Sequence, residues 1–178
     1  MFRISALLLL SLVTGTALRA DPLAIGAPAP PLTAVDQNGA PVTFTDIYAK
    51  GVTLVYFYPK AGTSGCTAEA CSLRDAYDKL QAEGLQIIGV SRDTAASQKD
   101  FQIKYKLPFT LVADTDGKVA EAFGVPMLMG VLPLASRQSF IVKDGKIAWT
   151  SLHAKTKGSA EEVQKALDGL KSPSATVP

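Results

Sequence analysis

Apolar positions along the chain fall into near-continuous runs separated by segments of a longer period. "VTLVYFY" (52–58), "LQIIGVS" (85–91) and "FTLVAD" (109–114) combine β-branched and aromatic residues over a strand's length, the pattern of strands buried on both faces. "RQSFIVK" and "KIAWTSL", joined by Asp144 and Gly145, predict a β-hairpin. Between 66 and 83 the period becomes helical. Cys66, Ala70, Leu73, Tyr77 and Leu80 lie within a stripe roughly 80° wide, which predicts one amphipathic helix packed on the sheet. "TAASQKDFQIKYK" predicts a second helix stopped by Pro108, a short one is expected around 118–123, and 160–170 reads as a closing helix. Ahead of these, "GAPAPPLTAVDQNGAPVTF" predicts a Pro-rich lead-in and two short strands about an Asn-Gly turn.

The succession of strand, helix, strand, helix, strand, hairpin and helix describes an α/β domain. A central mixed β-sheet is expected, with helices on both faces and an N-terminal β-hairpin extension, in the thioredoxin-like order. No repeat or low-complexity linker divides the chain, so 21–171 is expected to be one domain, and "SPSATVP" (172–178) reads as a disordered tail from its Pro and Ser content.

Composition changes the picture at the N-terminus. Of the 178 residues 47% are hydrophobic, and part of that excess sits in "MFRISALLLLSLVTGTALRA". Arg3 followed by an apolar run over 4–13 and then small residues predicts a secretory signal over 1–20, with cleavage after Ala17 or Ala20. A retained membrane anchor is the alternative. Export to a bacterial periplasm is the expected location, a compartment in which disulfides persist unless something reduces them. Losing 1–20 removes Arg3 and Arg19 from 18 basic residues against 16 acidic ones, which leaves no net charge. That balance argues against a nucleic-acid partner or a polybasic membrane contact. One His and two Cys make no structural zinc set, and no Gly-rich phosphate motif occurs. His153 reads as a surface residue, and Trp149 as a sheet residue packed under a helix.

The two cysteines, Cys66 and Cys71, stand in "YFYPKAGTSGCTAEACSLRDAY". Cys66 follows the loop after a buried strand. With Thr63 as N-cap it becomes the third residue of the helix, where unpaired N–H groups and the positive end of the helix dipole favour a thiolate. An inert buried thiol is the alternative there. In a regular helix residues five apart have Cα atoms roughly 8.7 Å apart, beyond the roughly 7 Å that a disulfide spans. Cys71 also falls on the polar flank with Arg74, Asp75 and Asp78. A pair that bonds transiently, by unwinding the first turns, fits this spacing better than a permanent staple.

"PKAGTSGCT" sets Pro59, Thr63 and Cys66 in the pattern P-x-x-x-T-x-x-C, and Cys71 completes C-x-x-x-x-C. With "SLRDAYDKL", "GVSRDT", "KYKLPFTLVADTDGKVAEAFGV" and "RQSFIVKDGKI", most of the chain resembles the peroxiredoxins of the bacterioferritin-comigratory or PrxQ subgroup. The resemblance implies a thiol peroxidase without a bound cofactor. Cys66 would be the peroxidatic residue and Cys71 the resolving one, joined in an intramolecular disulfide that a thioredoxin-like or other dithiol protein reduces. Pro59 would shield the pocket, Thr63 would hydrogen-bond thiolate and peroxide, and Arg137 would stabilise the thiolate. A monomer or weak dimer is expected, with no stable membrane insertion once the signal is removed.

The chain departs from the subgroup at Ser64, where Pro is usual, and at Ala61 and Gly62, where an acid is common, so a more mobile loop is expected. Glu69 is assigned only to support of the first helical turn. The apolar segment "GVPMLMGVLPLAS" (124–136) reads as a loop over the core, or else as a rim of the site, with Met127 and Met129 as soft surface. Two rivals remain. A thioredoxin-type thiol-disulfide oxidoreductase would need a thiol at position 69, and a noncatalytic binding module would use the 124–136 segment with the cysteines as a structural pair.

Overall fold

In the computed structural model, which describes residues 21–128 and 134–171, the expected Asn-Gly turn is held by one carboxylate. Asp36 Oδ1 accepts from the backbone N–H groups of Asn38 at 2.7 Å and Ala40 at 2.9 Å. The flanking strands, β1 (Thr33–Val35) and β2 (Pro41–Thr43), pair antiparallel as expected. A helix with no periodic signature follows, α1 (Phe44–Tyr48), anchored by the wholly buried Phe44. The expected signal (1–20), the tail (172–178) and Met129 lie outside the described residues.

Strand β3 (Thr53–Phe57) is buried at every position. After it come α2 (Ser64–Asp75), α3 (Tyr77–Ala82), β4 (Gln86–Ser91), α4 (Ala95–Tyr105), β5 (Thr110–Ala113) and α5 (Lys118–Ala122). The two-residue strands β6 (Met127–Leu128) and β7 (Leu134–Ala135) pair with each other, and β8 (Gln138–Lys143), β9 (Lys146–Ser151) and α6 (Ser159–Lys171) complete the chain. The sheet order is β5-β4-β3-β8-β9; β3, β4 and β5 run parallel, while β8 is antiparallel to both β3 and β9. This is the thioredoxin-like mixed sheet expected from the sequence.

Alternation along β3 divides the core. Leu54 and Tyr56 face the side covered by α2, α3, α4 and α6, where Leu73, Leu80, Phe101 and Val163 pack. Val55 and Phe57 face the other side, closed by Phe44 of α1 and by Val119 and Ala120 of α5. Because both faces are covered, the strand reads as a continuous apolar run. Trp149 packs half-buried on the α6 side, as expected, and His153 is exposed. Among the described residues no helix is long and apolar enough to cross a membrane.

Two expectations are corrected. The helix expected over 66–83 is interrupted at Ala76, whose φ of −98° and ψ of 2° separate α2 from α3. Alanine is a strong helix former, so nothing local signals the break. It is tertiary in origin: Arg74 is tied to the Tyr105 carbonyl at 2.8 Å, and the Tyr77 ring packs on Phe109 with centroids 6.1 Å apart. The second correction concerns 124–136, read as a loop, of which four residues form the β6–β7 pair. The turn after β8 behaves as predicted, with φ of 53° at Asp144 and 70° at Gly145.

Gly89 of β4 stands directly across from Tyr56 in the sheet. A Cβ there would meet Tyr56 Oη at 2.7 Å and Leu111 Cδ2 at 2.8 Å. Gly89→Ala is expected to lower unfolding stability by about 1–3 kcal/mol, measured by chemical denaturation; an unchanged midpoint would show that the Tyr56 ring is free to move.

Candidate active site

The parallel strands β3, β4 and β5 end at one edge of the sheet, and the loop from β3 to α2 begins there. Tyr58 N–H donates to the Val90 carbonyl at 3.1 Å, extending the pairing by one residue. The chain then turns through Pro59, Lys60 and Ala61, and Ala61 N–H donates to Asp93 Oδ2 at 2.8 Å. Thr63 takes the N-cap position with extended φ of −74° and ψ of 153°, and its carbonyl accepts from Thr67 N–H at 2.8 Å. Its hydroxyl instead donates to the Lys60 carbonyl at 3.0 Å and makes no capping bond, which corrects half of the expectation. The helix N–H groups ahead of Cys66 therefore gain no acceptor from Thr63.

Cys66 is the third residue of α2 and only 2% exposed. Arg137 Nη2 donates to its Sγ at 3.2 Å. Another nitrogen of the same guanidinium, Nη1, donates to Glu69 Oε2, so the cation lies between a thiol and a carboxylate. Glu69 is completely buried and the Arg137 side chain is 17% exposed. Spacing explains the arrangement: residues three apart share a helix face, so Cys66 and Glu69 look in one direction. Gly65 lies against the same guanidinium, where a Cβ would make an ordinary 3.5 Å contact with Arg137 Nη2 and a tight 3.3 Å one with Thr156 Cγ2. Total burial pushes the Glu69 carboxyl up to about 8, against the pull of the Arg137 charge and of the hydrogen bond it makes.

Of the five residues singled out in the sequence, Cys66 and Arg137 are in direct contact, and Pro59 and Thr63 lie on the loop that delivers Cys66. Cys71 sits on the next turns of the same helix, half-buried, with Arg74 beside it; both cysteines are free. Pro59 also lines a cavity of about 360 Å³ with Lys60, Arg92, Thr115 and Leu134, so the 124–136 segment borders this end of the sheet through Leu134. Glu69, Gly65 and Asp93 were not assigned to the site by the sequence. The i+3 spacing from Cys66 was the available signal for Glu69, whereas nothing local marks Asp93.

The AhpC/TSA family profile matches residues 25–150. Chloroplastic peroxiredoxin Q of Oryza sativa subsp. japonica is 44% identical over 126 residues, covering 70% of this chain and 57% of that protein. The chain thus spans a little over half the length of this curated relative. The crystal structure of peroxidoxin BcpB from Mycobacterium tuberculosis superposes with a TM-score of 0.77 at 28% identity, covering 83% of this chain and 98% of that one. A Xanthomonas campestris bacterioferritin comigratory protein, solved as trapped intermediate and ligand complexes bearing on its alkyl peroxide reduction activity, gives a TM-score of 0.73 at 27% identity over 79% of this chain and 92% of its own.

The curated relatives from Oryza sativa, Sedum lineare and Arabidopsis thaliana, 44–46% identical, are chloroplastic, which overturns the expectation of export to a bacterial periplasm. An apolar run behind one arginine is a generic feature, and a compartment is read by a receptor from more than hydropathy. Persistence of disulfides in a periplasm then has no bearing on Cys66 and Cys71.

The raised Glu69 value carries a sign for stability. The folded state holds this proton more tightly than the unfolded chain, so the contribution is present below pH about 4.5 and is lost as pH rises towards 8. Glu69→Gln has no such titration. The denaturation midpoint of the parent should fall relative to that of Glu69→Gln as pH rises from 4.5 to 8; parallel curves would mean that the carboxylate is ionised throughout.

Proposed function

As the chain belongs to the AhpC/TSA family, we propose that it is a thiol-dependent peroxidase that reduces hydrogen peroxide and organic hydroperoxides through Cys66. The observation that carries this reading is the buried Cys66 sulfur in the first turn of α2 with Arg137 Nη2 3.2 Å away. A fixed cation and the helix dipole at that point favour a thiolate. The attacking sulfur takes one peroxide oxygen: the S–O bond forms, the O–O bond breaks, and the departing oxygen leaves as water or an alcohol after taking up a proton. Cys66 becomes a sulfenic acid.

Arg137 in this scheme holds both the thiolate and the peroxide, and Pro59 shields the sulfur from water. Thr63 bonds the peroxide oxygen, for which its hydroxyl turns away from the Lys60 carbonyl. The first turns of α2 then unwind and the Cys71 thiolate attacks the sulfenic sulfur. The S–S bond forms as the S–O bond breaks, and the oxygen leaves as water. A dithiol protein of thioredoxin type reduces the disulfide by exchange. Both thiols lie on one helix, so the cycle needs no second copy of the chain, in keeping with a monomer or weak dimer. The reported alkyl peroxide reduction by the Xanthomonas campestris relative supports the organic hydroperoxides in this range.

The thioredoxin-type alternative is disfavoured by Glu69, since a carboxylate occupies the position where that chemistry needs a thiol. One equivalent of peroxide should remove two hydrogens from the intact mass of the reduced protein, with the bridge mapped to Cys66 and Cys71. Cys71→Ser should stop at a sulfenic acid that excess peroxide overoxidises, and Cys66→Ser should be inert. An unchanged mass in the parent would sink the peroxidase reading, and identical behaviour of the two variants would overturn the assignment of roles.

A further inference from the structure

Beneath the loop that carries Pro59 and Thr63 runs a chain of buried polar groups that the proposed chemistry does not use. Tyr58, at the end of β3, donates its hydroxyl to Gln98 Oε1, and burial keeps that hydroxyl protonated by pushing it well above the usual phenol range. Gln98 Nε2 donates to the Val112 carbonyl at 2.9 Å and to Ser91 Oγ at 2.8 Å. Ser91 Oγ donates in turn to Asp93 Oδ2 at 2.7 Å. Tyr58, Ser91 and Gln98 are all completely buried. The donors run in one direction and end on a carboxylate that can only accept.

Packing alone does not call for such a chain, because a phenylalanine at 58 and a leucine at 98 would fill the same space without desolvating a hydroxyl and an amide. What the chain does is hold the Asp93 carboxylate in place. Its Oδ2 receives one further bond, the 2.8 Å bond from Ala61 N–H. Ala61 lies midway between Pro59 and Thr63. The loop is thereby tied through one carboxylate to the β4–α4 connection and, behind it, to the middle of the sheet.

We propose that Asp93 is a positioning residue for the peroxidase cycle: its carboxylate clamps Ala61 and keeps the active-site loop in the attacking arrangement while α2 alternates between wound and unwound states. This rests on the peroxidase reading of Cys66. The moving segment then has defined ends. Asp93 holds the chain before α2, while Ser72 Oγ, which accepts from Ala160 N–H at 3.1 Å, and Arg74, which donates to the Tyr105 carbonyl at 2.8 Å, hold the helix beyond Cys71. Releasing the first anchor shifts the population towards the unwound state. Attack on peroxide slows, because it needs the wound helix and the fixed loop; resolution by Cys71 gains, and less sulfenic acid survives to be overoxidised.

Asp93→Ala should slow the second-order oxidation of Cys66, because the loop before it loses its fixed position, and should raise the ratio of unwound to wound helix by about tenfold, the shift that one hydrogen bond to a charged acceptor carries. The peroxide concentration that overoxidises half the protein should rise by a similar factor. Asp93→Asn retains an acceptor oxygen for Ala61 N–H and should recover most of both properties. Ser91→Ala, which removes a bond to Asp93 and leaves Ala61 paired, should show a smaller change in the same direction. Hydrogen exchange at the Ala61 amide, read in the reduced protein without peroxide, should speed up in Asp93→Ala and not in Asp93→Asn. Unaltered exchange at Ala61 would overturn the clamp whatever the protein's chemistry. Faster exchange with parental attack and overoxidation would reduce Asp93 to a structural residue. Failure of the parent to consume peroxide would instead strike the underlying reading.

Discussion

A guanidinium that is mostly shut off from water, and that must find partners there, sets the requirements of this end of the molecule. Burial works against the Arg137 charge, and the Glu69 carboxyl group and the Cys66 sulfur, which both accept from the guanidinium, more than restore it. A buried charge without such partners would be costly. All three groups must therefore arrive together, although Arg137 is separated from Cys66 and Glu69 by about 70 residues of sequence. The sheet brings them together. Gln138 at the start of β8 pairs with Phe57 at the end of β3, so the antiparallel register puts Arg137 at the same edge as the loop that leads into α2. A slip of one residue would turn every side chain of β8 to the other face. The apolar alternation of Phe140 and Val142 against Ser139 and Ile141 is thus also what aims the cation.

The same geometry places conflicting demands on α2. Its inward face carries Cys66, Glu69, Ala70 and Leu73, all buried, and its packing keeps the sulfur beside Arg137. In the proposed cycle the first turns must nevertheless open. Separation of the tasks along the helix meets both demands. Leu73 is wholly buried and Arg74 is tied to α4, and the interruption at Ala76 uncouples α3 from whatever happens upstream. Unwinding can then be local, confined to a short stretch between fixed points and far less costly than opening the domain.

Most of the fold was legible because its strands and helices obey their own periods: the five strands of the central sheet, α4, α5 and α6 fall where the pattern puts them. What escaped was tertiary in origin. Helix α1 is short and held by one buried phenylalanine, and the β6–β7 pair has two residues a side, too few to show a period. Ala76 breaks a helix against its own propensity. At the candidate site, Cys66, Arg137, Pro59 and Thr63 were singled out through a motif, and Cys71 through its spacing. Glu69 was read as a supporting residue of the first turn because a surface carboxylate and a buried one look alike in sequence. Asp93 escaped because its partner Ala61 is a backbone donor 32 residues away, which no side-chain pattern announces.

Position 69 shows how one choice of residue bears on the rest of the design. Three residues after Cys66 lies the point on the helix that looks in the same direction as its sulfur, and a thiol there would make a dithiol pair without helix opening. Here the place is taken by a carboxylate that accepts from Arg137. The second thiol of this helix stands off that face, with Cys71 on the half-buried flank. The carboxyl group at 69 steadies Arg137 beside the sulfur, while the five-residue spacing is what would make a disulfide between Cys66 and Cys71 depend on unwinding. In the proposed cycle, anything that tunes this unwinding, at the loop before α2 or at the anchors beyond Cys71, sets the balance between attack on peroxide and formation of the disulfide.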